Sequence, residues 1–487
     1  MAEQGTRCGL LPCFGAALCS ALIPGVGHAV THARFRRPVV AATVLNAIAS
    51  VVVIVILAPT RSRADLADTI ADRTVFIGLA VALLVLAITR LWAIVDVAWQ
   101  TRPPAGTALQ TVAGLTAGMV LIAGVAPLAM AANYVWQTDR ALERVFGSGE
   151  AITANPSPLT TTTDMAGSTT TSVATHVTSV PASTSTTADS TTTSTTPPPA
   201  ERVNVLLLGG DAGPGRWSLR TDSMVVISID PGTGDTAMIS IPRNLRRLPF
   251  PPGTPLAKKY PKGFDDLANA VWTRVNAHRE LAGGGEDAGA QAIKLGIAQL
   301  LGIPIHYYVL VDMSGFVAVV DALGGIDINV TKRVPAADSP PDAKHKSPAW
   351  FEVGLQHMDG TLALAYSRSR RVDSDYSRMA RQRCVLGAIA ASATPWAIAS
   401  GLTDLLAAVG DAVRTDIPRE RLGELAQWFD AFSANGGLHA VRTLHLAPPL
   451  VDPADWDAAE VRGLVATVLT PGAPAVGTGI SVLTEGC

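Results

Sequence analysis

The chain has 487 residues, 48% of them hydrophobic and 16% charged, with a formal net charge of −2 and a mean hydropathy of +0.30. That length allows two or three domains, and the apolar bias excludes both a purely soluble and a wholly disordered chain. Five cysteines are too few for a disulfide scaffold, and the near-neutral charge gives no basic field for bulk nucleic-acid binding.

Residues 1–150 contain no lysine, and their charges fall between long apolar runs. Val39–Ala58 is a charge-free run of bilayer length. Val75–Trp99 is a second, with Arg90 and Asp96 near its end, and Ala108–Trp136 is a third. Cys8–Val30 is also apolar but carries Pro24, so it either spans or only enters the membrane. The expectation is a membrane domain over 1–150 with three or four transmembrane helices. Arg34, Arg36, Arg37 and Arg102 mark the cytoplasmic loops, so the run ending at Trp136 exits and all that follows is outside the cell.

Residues 151–200 hold 26 Ser or Thr, no Lys or Arg, and end in Pro197–Pro199. This composition buries no core and predicts a disordered, Ser/Thr/Pro-rich stalk. From Val203 the texture is that of a layered domain over 201–487. Strands are expected at Val203–Leu208, Ser223–Asp230, Thr236–Ile241, Tyr307–Val311, Ile326–Val330 and Ala363–Arg370. Helices are expected at Glu286–Leu301, Ser314–Leu323, Ser377–Val413 and Arg419–Phe432. The fold class is α/β or α+β, with strands and helices in layers.

Three clusters carry chemistry. Asp211 follows the first strand and Arg220-Thr221-Asp222 heads the second. Two carboxylates at adjacent strand ends suit an oxygen-loving Mg²⁺, and they equally suit turns. The third cluster packs six arginines into residues 368–383. With Arg368 and Arg370 on one strand face and Arg378, Arg381 and Gln382 on one helix face, a strand–turn–helix aims both sets at one point. Asp375 is placed at the helix N-cap, where it can also hold one of these arginines by an ion pair. Guanidinium forks match phosphate oxygens bidentately; a solvated charged face is the alternative. Arg243 adds a candidate from a separate element. No Walker loop, zinc spacing or nucleophile elbow is present. The Pro-rich segment Phe250–Trp272, with Lys258, Lys259 and Lys262, is either a flank of a lipid entrance or a surface loop.

Ordered stretches of the outer domain resemble the LytR–CpsA–Psr family over about 203–387. They are Asn204–Asp211, Arg220–Met224, Ser240–Asn244, Val275–Ala277, Gly302–Ile305, Val320–Gly325 and Arg368–Gln382. The resemblance implies an α-β-α sandwich with a mixed central sheet and an apolar lipid tunnel. It also implies a Mg²⁺-dependent phosphotransferase that moves a glycopolymer from a polyprenyl-diphosphate carrier to a peptidoglycan acceptor. By motif position Asp211 and Asp222 would hold Mg²⁺. Arg220, Arg243, Arg368, Arg370, Arg378, Arg381 and Gln382 would bind the diphosphate, with Asp222, Arg243 and Arg370 catalytic. Asn244 departs from the family's usual aspartate. The alternatives are a polyprenyl-diphosphate pyrophosphatase and a non-catalytic envelope sensor. Arginine outnumbers lysine 31 to 7, which suggests a multi-span actinobacterial member acting on arabinogalactan at the plasma membrane. Cys384 and Cys487 both fall outside the membrane, where they can pair or stay apart.

Overall fold

A computed structural model describes residues 18, 37–57, 68, 72–100, 108–146, 153–157, 202–211, 220–285, 287–336, 348–370, 374–393, 412–472 and 480–483. Most of the Ser/Thr-rich stretch, the 8–30 run (apart from residue 18) and Cys487 lie outside them.

Three helices come first: α1 (Arg37–Leu57), α2 (Arg73–Gln100) and α3 (Ala108–Val145). Each is long and apolar enough to cross a membrane. Their outward residues, such as Ile54, Val81 and Leu115, are exposed apolar side chains, while Asn46 donates to Thr89 at 3.1 Å to join α1 to α2. At 1.5 Å per residue α3 is about 57 Å long, far more than the ~30 Å of a hydrocarbon core. Its polar last turns therefore extend beyond the length that a hydrocarbon core would enclose.

The remainder builds on a seven-stranded mixed sheet in the order β11-β10-β3-β2-β1-β4-β9. The strands are β1 (Val203–Gly210), β2 (Thr221–Ile229), β3 (Thr236–Ile241), β4 (Tyr307–Val311), β9 (Val413–Thr415), β10 (Arg442–His445) and β11 (Ile480–Val482). β1 runs antiparallel to β2 and parallel to β4; β3 runs parallel to β10. Two-stranded satellites pair β5 (Ile326–Val330) with β8 (Gly354–Met358), and β6 (Val334–Pro335) with β7 (Trp350–Phe351).

Side-chain alternation along β1 decides what each face of the sheet meets. Leu206 and Leu208, with Ile239 and Leu310 of neighbouring strands, enter the largest core. There they meet α4 (Pro255–Lys259), α5 (Val271–Asn276), α6 (Ala288–Leu301) and α11 (Ala458–Leu469). Phe250, Tyr260, Phe264 and Trp272 of the Phe250–Trp272 segment are buried in this core, while its Lys258, Lys259 and Lys262 are exposed. On the opposite face Leu207 and Val309 look toward α7 (Met313–Ala322), α8 (Gly360–Arg368), α9 (Asp375–Ser392) and α10 (Leu422–Ala434). The result is an α-β-α sandwich, as expected.

Three local expectations are corrected. Ala363–Arg370 is not a strand, because Arg368 ends α8. The Asp359 carboxylate accepts from Leu362 N at 2.9 Å to cap that helix. Residues 363–367 are then all buried in succession, which no half-exposed strand achieves. The N-cap of α9 is Ser374, not Asp375. Val413 opens strand β9, so no helix reaches it.

Candidate functional site

The C-terminal end of β1 and the start of β2 meet at a bulge, where the register shifts between Gly209 and Gly210. A Cβ on Gly209 would lie 2.9 Å from Ser223 Cβ, so the strands approach this closely only with glycine there. The bulge ends in Asp211, whose Oδ1 accepts from Arg220 N at 2.7 Å. It turns Asp211 and Asp222 into one cavity.

That cavity, of about 580 Å³, lies between the sheet and helices α7, α8 and α9. Its walls are apolar: Leu207, Val309 and Val311 from the sheet, Phe316 and Val319 from α7, Leu364 from α8, and Val385, Leu386 and Ile389 from α9. Its mouth is charged, with Asp211, Asp222, Arg368, Arg370, Arg378 and Gln382. From Arg378 to Ile389 the lining runs along α9 for about 16 Å.

The charges at the mouth are interlocked. Arg243 donates from Nη1 to Asp222 Oδ1 at 2.9 Å and from Nε to Asp375 Oδ2 at 3.2 Å. Arg378 reaches the same Asp375 oxygen at 3.0 Å and the Asp222 carbonyl at 3.3 Å. Arg370 Nη1 stands 3.8 Å from Asp375 Oδ1, and Asn269 donates to Asp222 Oδ1 at 3.1 Å. Burial pushes the Asp222 carboxyl up, but hydrogen bonds and charge from Arg243, Asn269 and Arg378 outweigh it and hold the pKa below 3.8. Burial likewise opposes the charge on Arg243, and Asp222 and Asp375 overcome it. On Arg378 burial wins, helped by Arg243 and Arg370, and the pKa falls to about 10. Arg378 remains a cation at neutral pH, but one poorly compensated by its surroundings. Three guanidiniums held by two carboxylates form a rigid, net-positive rim, suited to a diphosphate.

Asp211, Asp222, Arg368, Arg370, Arg378 and Gln382 are thus brought to one cavity, and Arg243 braces them from behind Asp222. Arg368 and Arg370 share no strand face: one is the last helical residue and the other lies two positions beyond it. Arg220 is exposed and meets Asp211 through its backbone. Arg381 does not line the cavity; it is buried and donates to the Ser369 carbonyl at 2.5 Å, bracing the loop that presents Arg370. The ion pair expected of Asp375 is present, and it joins Arg378 to Arg243 of a distant element. Asn269 is a partner that sequence reasoning missed, since an amide far from the arginines in sequence gives no local signal.

A sequence model of the LytR_cpsA_psr family matches residues 162–442, more than half of the chain. The chain belongs to that family. Among curated relatives of this LytR_cpsA_psr protein is the polyisoprenyl-teichoic acid–peptidoglycan teichoic acid transferase TagU of Bacillus mycoides, 29% identical over 228 residues, which make up 46% of this chain and 64% of that one. TagU of Bacillus cereus strain AH820 is 30% identical over the same coverage. The chain thus spans just under two thirds of the length of these relatives. Among solved structures, Bacillus subtilis TagV is 26% identical with a TM-score of 0.40, covering 55% of this chain and 96% of that one.

Proposed function

We propose that this chain transfers a glycopolymer from a polyprenyl-diphosphate carrier to peptidoglycan through a phosphodiester. The observation that carries the reading is the cavity itself: an apolar channel with a rim of interlocked arginines at one end. Its two ends match the two ends of a lipid diphosphate. The named activity of the TagU relatives supports the same reading.

In this reaction a hydroxyl of the acceptor attacks the sugar-linked phosphorus, a new O–P bond forms, the hydroxyl proton passes to solvent water, and polyprenyl phosphate leaves with the electron pair of the broken P–O bond. Arg370 and Arg378 face the charge that builds on the phosphoryl oxygens, and Arg243 acts through Asp222 and Asp375 to keep the rim in place. Asp222, ionised at neutral pH, is a weak base and a strong organiser. The donor set fits Mg²⁺: Asp211 and Asp222 line one cavity, and a hard cation completes its shell with substrate phosphate oxygens and water. Bound there, the ion would neutralise negative charge on the diphosphate. We place the chain in the plasma membrane as a multi-pass protein with its sandwich outside, a placement supported by the three long apolar helices and their flanking arginines.

The deciding experiment incubates the full chain in vesicles with a lipid-diphosphate glycan, Mg²⁺ and peptidoglycan oligomers. A phosphodiester-linked product is expected. Free phosphorylated glycan would mean hydrolysis instead, and tight lipid binding without turnover would mean a sensor. Chelation should lower turnover, and Asp211→Asn should raise the Mg²⁺ concentration needed to restore it. The donor polymer, for which arabinogalactan is our first choice, is read by comparing donors in the same assay.

A further inference from the structure

The outer domain does not simply hang from the membrane helices. The polar end of α3 packs directly on it. Asp139 Oδ1 and Arg419 Nη1 are 2.6 Å apart, with side chains only 6% and 8% exposed. The Arg419 guanidinium also lies 5.3 Å from the Phe76 ring of α2, while Arg73 of α2 pairs with Glu143 of α3 at 3.1 Å. Ala141, Leu142, Phe76 and Phe146 share an apolar cluster with Leu422 of α10. Phe146 bridges Thr415 at the β9 edge of the sheet. The Asp68 carboxylate, from between α1 and α2, lies where a Cβ on Gly423 would fall, so a side chain there has to displace it.

The next described residues are already part of the sandwich. Ala154 exchanges two 2.9 Å backbone hydrogen bonds with Ile305 and is buried in the main core, and Ser157 N donates to Gln299 at 2.7 Å. The described chain resumes at Arg202, whose guanidinium holds Asp235 at 2.8 Å. Both flanks of the Ser/Thr-rich stretch are therefore anchored on the same domain. A segment that starts and ends on one body is not what separates that body from the membrane.

The apolar contact is continuous with the cavity. Val309 lines the cavity wall and belongs to the cluster that contains Phe146, and Phe146 in turn joins the cluster with Phe76 of α2. A buried, paired charge in such a seam favours one orientation, since a shifted packing would bury one ion without its partner.

We infer that the ends of α2 and α3 are a seat that fixes the cavity in height and orientation over the bilayer, and that Asp139, Arg419 and Gly423 are positioning residues for a membrane-embedded donor. The role for a lipid donor rests on the proposed function; the seat itself does not.

The test uses the full chain in vesicles. In the Phe146→Cys, Thr415→Cys double variant, mild oxidation should cross-link most molecules, read as a joined peptide by mass spectrometry. Adding Gly423→Leu, a good helix former that leaves α10 intact, should cut the yield about tenfold. Absence of the cross-link without that wedge overturns the seat, whatever the activity. Gly423→Leu alone, and Arg419→Met as a second variant, should raise KM for a long-chain donor in the bilayer about tenfold, because misplacement is felt only where the bilayer sets the geometry. Turnover of a short-chain, water-soluble donor should stay unchanged, and Arg419→Lys should recover much of the loss. Equal loss on both donors, or none on either, overturns the positioning role. A cross-linked but otherwise native chain that turns over neither donor overturns the proposed function and the positioning role with it, while the seat stands.

Discussion

The two faces of the central sheet are made by the same strands, yet they are filled differently. Leu206, Leu208 and Ile239 go into a large continuous core with α5, α6 and α11. One residue along, Leu207 faces a cavity of about 580 Å³ under α7, α8 and α9, and the remaining apolar contacts there are split into smaller clusters. The lesson is one of division of labour: one face holds the sheet rigid, so that the other can remain hollow and carry uncompensated charge at its rim.

Substitutions on the two faces should separate function from stability. Arg370→Ala, on a side chain 49% exposed, should lower turnover on the order of 100- to 1,000-fold and leave the melting temperature nearly unchanged. Wild-type activity in that variant would remove the rim from the mechanism. Ile239→Ala on the packed face should do the reverse, costing about 2–5 kcal/mol of stability, measured by denaturant titration, with turnover per folded molecule intact.

A smaller effect tests the hollow face through pH. His445 follows Leu444 on β10 and so points to the α9 side, where its Nε2 lies 3.4 Å from Met379 Sδ. Burial, assisted by the charge of Arg383, pushes its pKa from 6.5 down to about 4. The folded state keeps this ring neutral while the unfolded chain takes a proton. Stability is therefore full above about pH 6.5 and is lost as the pH falls toward 4, by about 3 kcal/mol in total. His445→Gln should flatten that part of the stability–pH curve; an unchanged slope would show that the ring is not the source. Smallest of all, Ile389→Trp should fill the cavity floor, weaken donor binding about tenfold and change stability by less than about 1 kcal/mol. Undiminished binding would mean that the tail lies elsewhere.

How much of this was legible in sequence varied with the distance over which the deciding contacts act. β3, β4 and β5 were read to the residue, because apolar runs bounded by Gly or Pro are local signals. α8 was misread because Ala363-Leu-Ala-Tyr-Ser-Arg368 alternates loosely like a strand, and the Asp359 cap that decides the matter sits outside that window. The arginine cluster was visible as composition, but its internal division was not. Arg378 enters the cavity and Arg381, three residues on, braces Ser369, a distinction set by what packs against α9. Asp375 became an organiser only when Arg243, 132 positions away, was folded against it.

Cys384 stands on α9, two positions past Gln382, and is bonded in a disulfide; the other four cysteines lie outside the described residues. Such bonds form and persist in oxidising surroundings and not in a reducing cytosol. On the proposed placement of the sandwich outside the cell, the helix that presents Arg378 and Gln382 is covalently finished only after export. That placement gives the protein a chronology as well as a geometry: export first, oxidation second.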